Sequence, residues 1–173
     1  MIKLRPLEKA LKKGPVMELI GKTTINPILF YSGKVAGYIT WIVYLLFVSG
    51  VNLFELTVLI YRAYAAYFLG LIGLIFIVLS MISLGKSTRL GLPSDHTILK
   101  TRGLYKISRN PIYVGFNLLT ISSMIYTFNI WIIILGVYSI LIYHLIILGE
   151  ERFLENRFEA EFLEYKKKTR RYL

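Results

Sequence analysis

The 173-residue chain contains no cysteine. Disulfides, thiolate nucleophiles and thiolate metal sites are thereby excluded. Histidine is scarce, with two residues, and the 10 Asp and Glu are outnumbered by 21 Lys and Arg, leaving a formal net charge of +11. No nucleic-acid-binding motif accompanies that charge, and no Gly-rich turn of a soluble nucleotide-binding fold occurs. The basic N-terminus MIKLRPLEKALKKG is not followed by a short apolar run and a small-residue cleavage site, so no signal peptide is expected. Internal repeats, low-complexity tracts and a second, soluble domain are not evident.

What the chain has is apolar surface. Hydrophobic residues make up 55% of it and the mean hydropathy is +0.59, against roughly 45–50% apolar in soluble domains. Four segments are long and apolar enough to cross a bilayer: Val35–Phe54, Val58–Leu84, Ile112–Phe128 and Ile130–Gly149. Arg62 lies near enough to the start of the second to reach back to the interface. Only Asn129 separates the last two, which demands a tight hairpin. The expected fold is an all-α integral membrane helical bundle of about four transmembrane helices with a C-terminal amphipathic helix. Residues 35–173 form a single domain in this reading. Residues 1–34 precede it with an interfacial helix, Leu4, Leu7 and Leu11 on one side, broken at Gly14-Pro15.

Lys and Arg set the topology. Residues 1–34 carry seven, Gly85–Arg109 six and Glu150–Leu173 seven, together 20 of the 21. With four spans these segments fall on one face, and the positive-inside rule places that face and both termini in the cytoplasm. The charge is thus explained by topology and by attraction to anionic membrane lipids, and nucleic acid is not expected as a partner. The Ile-, Lys- and Tyr-rich composition leans towards a prokaryotic plasma membrane.

Two stretches hold candidate chemistry. In Arg109-Asn110-Pro111-Ile112-Tyr113, asparagine suits a helix N-cap and proline the first helical position. The capped helix start beside Arg109 is also suited to a carboxylate or phosphate. The second stretch is HLIILGEERFLENRF, in which the last apolar run ends on Glu150 and Glu151. His144 and Glu151 are seven positions apart, so they share one helical stripe about 10 Å apart along the axis. An ionisable group inside a span is costly and marks a functional position unless a neighbouring helix engages it. The glutamates alone also fit a solvated, amphipathic helix continuation, ERFLENRFEAEFLEYKKK.

The ordered set Gly103-Leu104-Tyr105, Arg109-Asn110-Pro111-x-Tyr113, a helical hairpin, His144, and Glu150-Glu151-x-x-Leu154-x-x-x-Phe158 resembles the isoprenylcysteine carboxyl methyltransferase and phospholipid methyltransferase superfamily, over about residues 70–173. Tyr165 and Arg171-Tyr172-Leu173 also fit its pattern. The chain departs from it at Asn110, where histidine is usual, at Glu159, where glycine usually follows the Phe, and at Phe162, where tyrosine is common.

The resemblance implies S-adenosylmethionine bound at the cytoplasmic interface. Gly103, Leu104, Tyr105, Asn110, Pro111, Tyr113, His144, Glu150 and Glu151 would form the pocket, with Arg109 and His144 as catalytic residues and no metal. Both glutamates would offer carboxylates to the cofactor's cationic groups, and Arg109 would hold a carboxylate. The acceptor expected is lipidic, a prenylated cysteine carboxylate, with a phospholipid amine as the alternative. A nicotinamide-dependent membrane reductase of related architecture and a non-enzymatic scaffold are further alternatives.

Overall fold

A computed structural model of the chain describes residues 23–51, 53–84 and 99–173. The expected interfacial helix lies outside these residues, as does most of the Gly85–Arg109 connection. Among these residues four helices form: α1 (Pro27–Val48), α2 (Ile60–Leu84), α3 (Pro111–Thr127) and α4 (Ile130–Lys168), with a 3-10 turn at Gly103–Lys106 before α3. No strand occurs among the described residues; the one sheet-like contact is a parallel bridge between Ser108 and Arg170.

α1, α2 and α4 are long and apolar enough to cross a membrane. α3 has 17 residues, about 26 Å at 1.5 Å per residue, and sits at the short end of what spans a bilayer. Its packing still alternates with its neighbours. Ser122 and Gly115 of α3 meet Ala66 and Gly73 of α2 in reversed order, and α3 meets α4 through Thr120 and Met124 against Gly136. α1 runs alongside α3 in the same sense, Trp41 meeting Phe116 and Tyr44 meeting Tyr126. The starts of α1 and α3 and the far end of α4's apolar run therefore share one end of the bundle.

The surface is inverted relative to a water-soluble bundle. α2 exposes Phe68, Leu71, Ile75, Val78 and Ile82, whereas Thr40, Ser80, Thr120, Ser122, Ser123 and Ser139 are buried. In a bilayer no water satisfies an interior polar group, so small hydroxyls bond across helices. Ser122 Oγ donates to the Ala66 carbonyl at 2.6 Å, Ser123 Oγ to that of Thr40 at 2.7 Å, and Trp41 Nε1 to Thr120 Oγ1 at 2.9 Å. Each such bond contributes about 0.6 kcal/mol. Gly73 and Gly115 bring α2 and α3 into backbone contact: a Cβ at Gly115 would lie 2.7 Å from the Gly73 carbonyl oxygen.

Three expectations change. The first span begins at Pro27 and runs across the expected 34/35 boundary, because Asn26 accepts from Ile28 N at 2.9 Å and starts the helix there. Asn110 sits at the N-cap position of α3 but makes no side-chain cap, its amide being turned to Glu151. The amphipathic continuation of α4 is not a continuous helix either, since Glu159 adopts φ 41° and ψ −113° and kinks it.

Candidate interfacial site

α4 runs unbroken from Ile130 to Phe158, before the kink at Glu159, about 43 Å at 1.5 Å per residue and well beyond a bilayer's hydrocarbon thickness of about 30 Å. Its apolar run ends at Gly149, and Glu150 opens the part beyond. Successive helical residues point about 100° apart, so Glu150 and Glu151 meet different neighbours.

Glu151 is saturated. Arg109 Nε lies 3.0 Å from Oε1 and Nη2 3.3 Å from Oε2, the two-pronged fit of a guanidinium to a carboxylate. Arg171 brings Nε and Nη2 each to 3.0 Å from Oε2, and Asn110 Nδ2 donates to Oε1 at 3.0 Å. The residue is only 4% exposed. Burial pushes its pKa up, but the hydrogen bonds and charges of Arg109 and Arg171 outweigh burial and hold it below the ordinary 4.5. Arg109 is consumed as well: Nη1 donates to the carbonyls of Thr169 and Lys166. No edge of it is left for a bidentate partner.

Residues 169–172 lie as a strap along the segment before α3. Arg109 N donates to the Arg170 carbonyl at 2.9 Å, Ser108 Oγ to that of Arg171 at 3.2 Å, and Tyr165 Oη to that of Tyr105 at 2.5 Å. The strap reaches His144 too, whose Nδ1 lies 2.6 Å from Tyr172 Oη. Adjacent strap residues, Arg171 and Tyr172, thus hold the two groups expected on one stripe of α4. Among the described residues, His144 Nε2 makes no hydrogen bond.

Glu150 differs from its neighbour. Tyr113 Oη donates to its Oε1 at 2.8 Å, and no cation pairs with it among the described residues. Burial pushes its pKa up to about 7, against the lowering effects of the Tyr113 bond and the charge of Lys34. Tyr105, buried and bonded at its carbonyl by Tyr165, also feels the Glu150 charge.

The structure therefore brings Tyr105, Arg109, Asn110, Pro111, Tyr113, His144, Glu150 and Glu151 to one end of the α3–α4 pair. It does not join Gly103 or Leu104 to the glutamates by any hydrogen bond among the described residues. Gly103, at φ 63°, packs on Ser83 at the end of α2, and Leu104 closes the 3-10 turn through its carbonyl. Ser108, Arg171 and Tyr172 belong to the site although the sequence reading assigned them no role in it. So does Lys34, the only charged residue of α1. That single cation among apolar neighbours was the signal available for it. No group of three or more residues able to hold a metal occurs among the described residues.

These features define an integral membrane helical protein with a buried ionic site where its last two helices meet the interface. The phospholipid methyltransferase family matches residues 61–161, more than half of the chain. The chain belongs to that family and is a membrane methyltransferase. α1 and the strap fall outside the matched residues. Comparison with curated proteins and with solved structures gave no match.

Proposed function

We propose that the protein transfers the methyl group of S-adenosylmethionine to the amine of a lipid headgroup at the cytoplasmic face of the plasma membrane. The observation that carries this reading is the contrast between Glu150 and Arg109. The guanidinium expected to hold a carboxylate acceptor, Arg109, is spent on Glu151 and two carbonyls. An amine acceptor must lose a proton, and Glu150, poised at about 7 and free of any paired cation among the described residues, is tuned to take it.

The donor set suits the cofactor. Its sulfonium and ammonium call for aromatic and polar surroundings, and Tyr105, Tyr113 and His144 supply them. Bound there, S-adenosylmethionine supplies an electrophilic methyl group. Gly103, Leu104, Asn110 and Pro111 would form the rest of the wall, and Glu151 would serve by fixing Arg109 and Asn110. In this account Glu150 accepts the proton of the lipid headgroup's ammonium and frees that nitrogen's lone pair. Tyr113 orients the carboxylate, and the apolar ends of the helices keep water from the reacting atoms. His144, held at Nδ1 by Tyr172, presents Nε2 as a second polar contact. The cytoplasmic placement rests on the basic residues that flank α1, α3 and α4.

The test is methyl transfer by the purified protein from labelled S-adenosylmethionine, offered an amino-headgroup phospholipid and a prenylated cysteine. Label on the lipid nitrogen is expected. A base-labile methyl ester on the cysteine carboxylate would replace the amine reading with the carboxyl one. No label on either, with no cofactor binding by calorimetry, would refute both.

A further inference from the structure

Lys34 stands in α1, about 10 Å along the axis from the first residue of that helix and apart from the residues the family match covers. An ammonium at such a position is costly in a bilayer and is retained where it has work or a partner. Among the described residues it has no ion pair and no hydrogen bond. Its Nζ lies 4.1 Å above the centre of the Phe30 ring. Phe30 in turn packs in one buried cluster with Tyr113, Ile146 and Ile147, the wall directly beneath Glu150. Tyr113 from that same cluster donates to Glu150. One unpaired cation on α1 and one carboxylate on α4 are thus linked through the Phe30–Tyr113 cluster at one end of the bundle. They are near enough for the charge of Lys34 to act on Glu150, yet the two do not form an ion pair.

A separated cation and carboxylate at one end of a membrane bundle are complementary to a zwitterion. We infer that Lys34 binds the phosphate of the acceptor headgroup while the acceptor's nitrogen faces Glu150, so that α1 sets headgroup specificity. This deepens the amine reading above and rests on it. The competing account is that Lys34 merely reaches towards the interface along Phe30, in which case its charge has no bearing on the ligand.

The probes are micellar phosphatidylethanolamine and a long-chain amino alcohol that carries the same amine without phosphate. Equilibrium binding to the detergent-solubilised full chain is measured for the wild type, Lys34→Gln and Lys34→Arg, with Lys34→Met as the uncharged variant if glutamine prevents folding. Loss of a charged hydrogen bond should weaken phosphatidylethanolamine binding roughly 10- to 100-fold in the uncharged variants. Arginine should restore most of the affinity, and binding of the phosphate-free amine should be equal in all. Equal phosphatidylethanolamine binding by the wild type and the uncharged variant, an equal loss for both ligands, or no binding by the wild type would overturn the inference. Lys34-dependent binding without methyl transfer would instead overturn the amine-transfer reading and leave the phosphate contact standing.

Discussion

Arg171 closes on Glu151 from twenty residues further along the chain, with Nε and Nη2 both 3.0 Å from Oε2. Arg109 grips the same carboxylate from the opposite side of the sequence. The ion cluster fastens the strap to the start of α3 together with the hydrogen bonds of Ser108 and Arg109 N. A carboxylate buried between two guanidiniums cannot be removed without leaving two uncompensated cations close together.

Glu151→Gln should therefore act on stability first. The expected loss is about 3 kcal/mol, the scale of a broken buried ion pair, read as a lowered unfolding midpoint in detergent. An unchanged midpoint together with lost cofactor affinity would return Glu151 to the ligand-contacting role first expected of it.

The adjacent glutamates should give opposite pH signatures. Glu151 has a depressed pKa, so its contribution to stability is present above the ordinary 4.5 and is lost as pH falls through its folded value. Glu150 has a raised pKa. The fold favours its protonated form, so its ionisation costs stability as pH rises from 4.5 through about 7. The groups facing it are Tyr113, Lys34 and Tyr105. Glu150→Gln should thus match or exceed the wild type in stability at pH 8, with the advantage shrinking towards pH 5. Unfolding midpoints across that range check the sign.

Glu159 has φ 41°, a left-handed conformation that a side chain disfavours and glycine adopts freely. The methyltransferase pattern usually has glycine at this position. Glu159→Gly should stabilise the protein by about 1 kcal/mol, measured by unfolding in detergent. A loss of that size would mean that the kink is absent and that residue 159 is helical.

Much of the fold was legible because its signals are local. Apolar run length located α2, α3 and α4, and Asn129 capped α4 as a one-residue break suggests, accepting from Trp131 N at 3.0 Å. The start of α1 carried the same Asn-Pro signal at Asn26-Pro27, but the polar residues up to Lys34 made that stretch look extramembrane. The kink at Glu159 was hidden because glutamate favours helix, and only the departure from the family's glycine marked the position. The site was half legible. Its residues could be collected, but spacing could not say which glutamate would meet Arg109, 42 positions away in the chain. Nor could it foresee that Asn110 would turn from capping its helix to bonding Glu151. Those choices are made by the strap, whose register on Ser108 and Arg109 is a tertiary contact.

The central claim is that Glu150 takes a proton from a lipid amine. It is tested most directly by the pH dependence of methyl transfer to phosphatidylethanolamine at saturating S-adenosylmethionine, for the wild type and Glu150→Gln. The wild-type rate should rise with pH through an apparent pKa near 7, the folded value of Glu150. The variant should lose that rise and fall by roughly 10²–10⁴-fold, the range of a removed general base. A wild-type profile flat between pH 6 and 9, or a Glu150→Gln variant that keeps both the rate and the rise, would contradict the account.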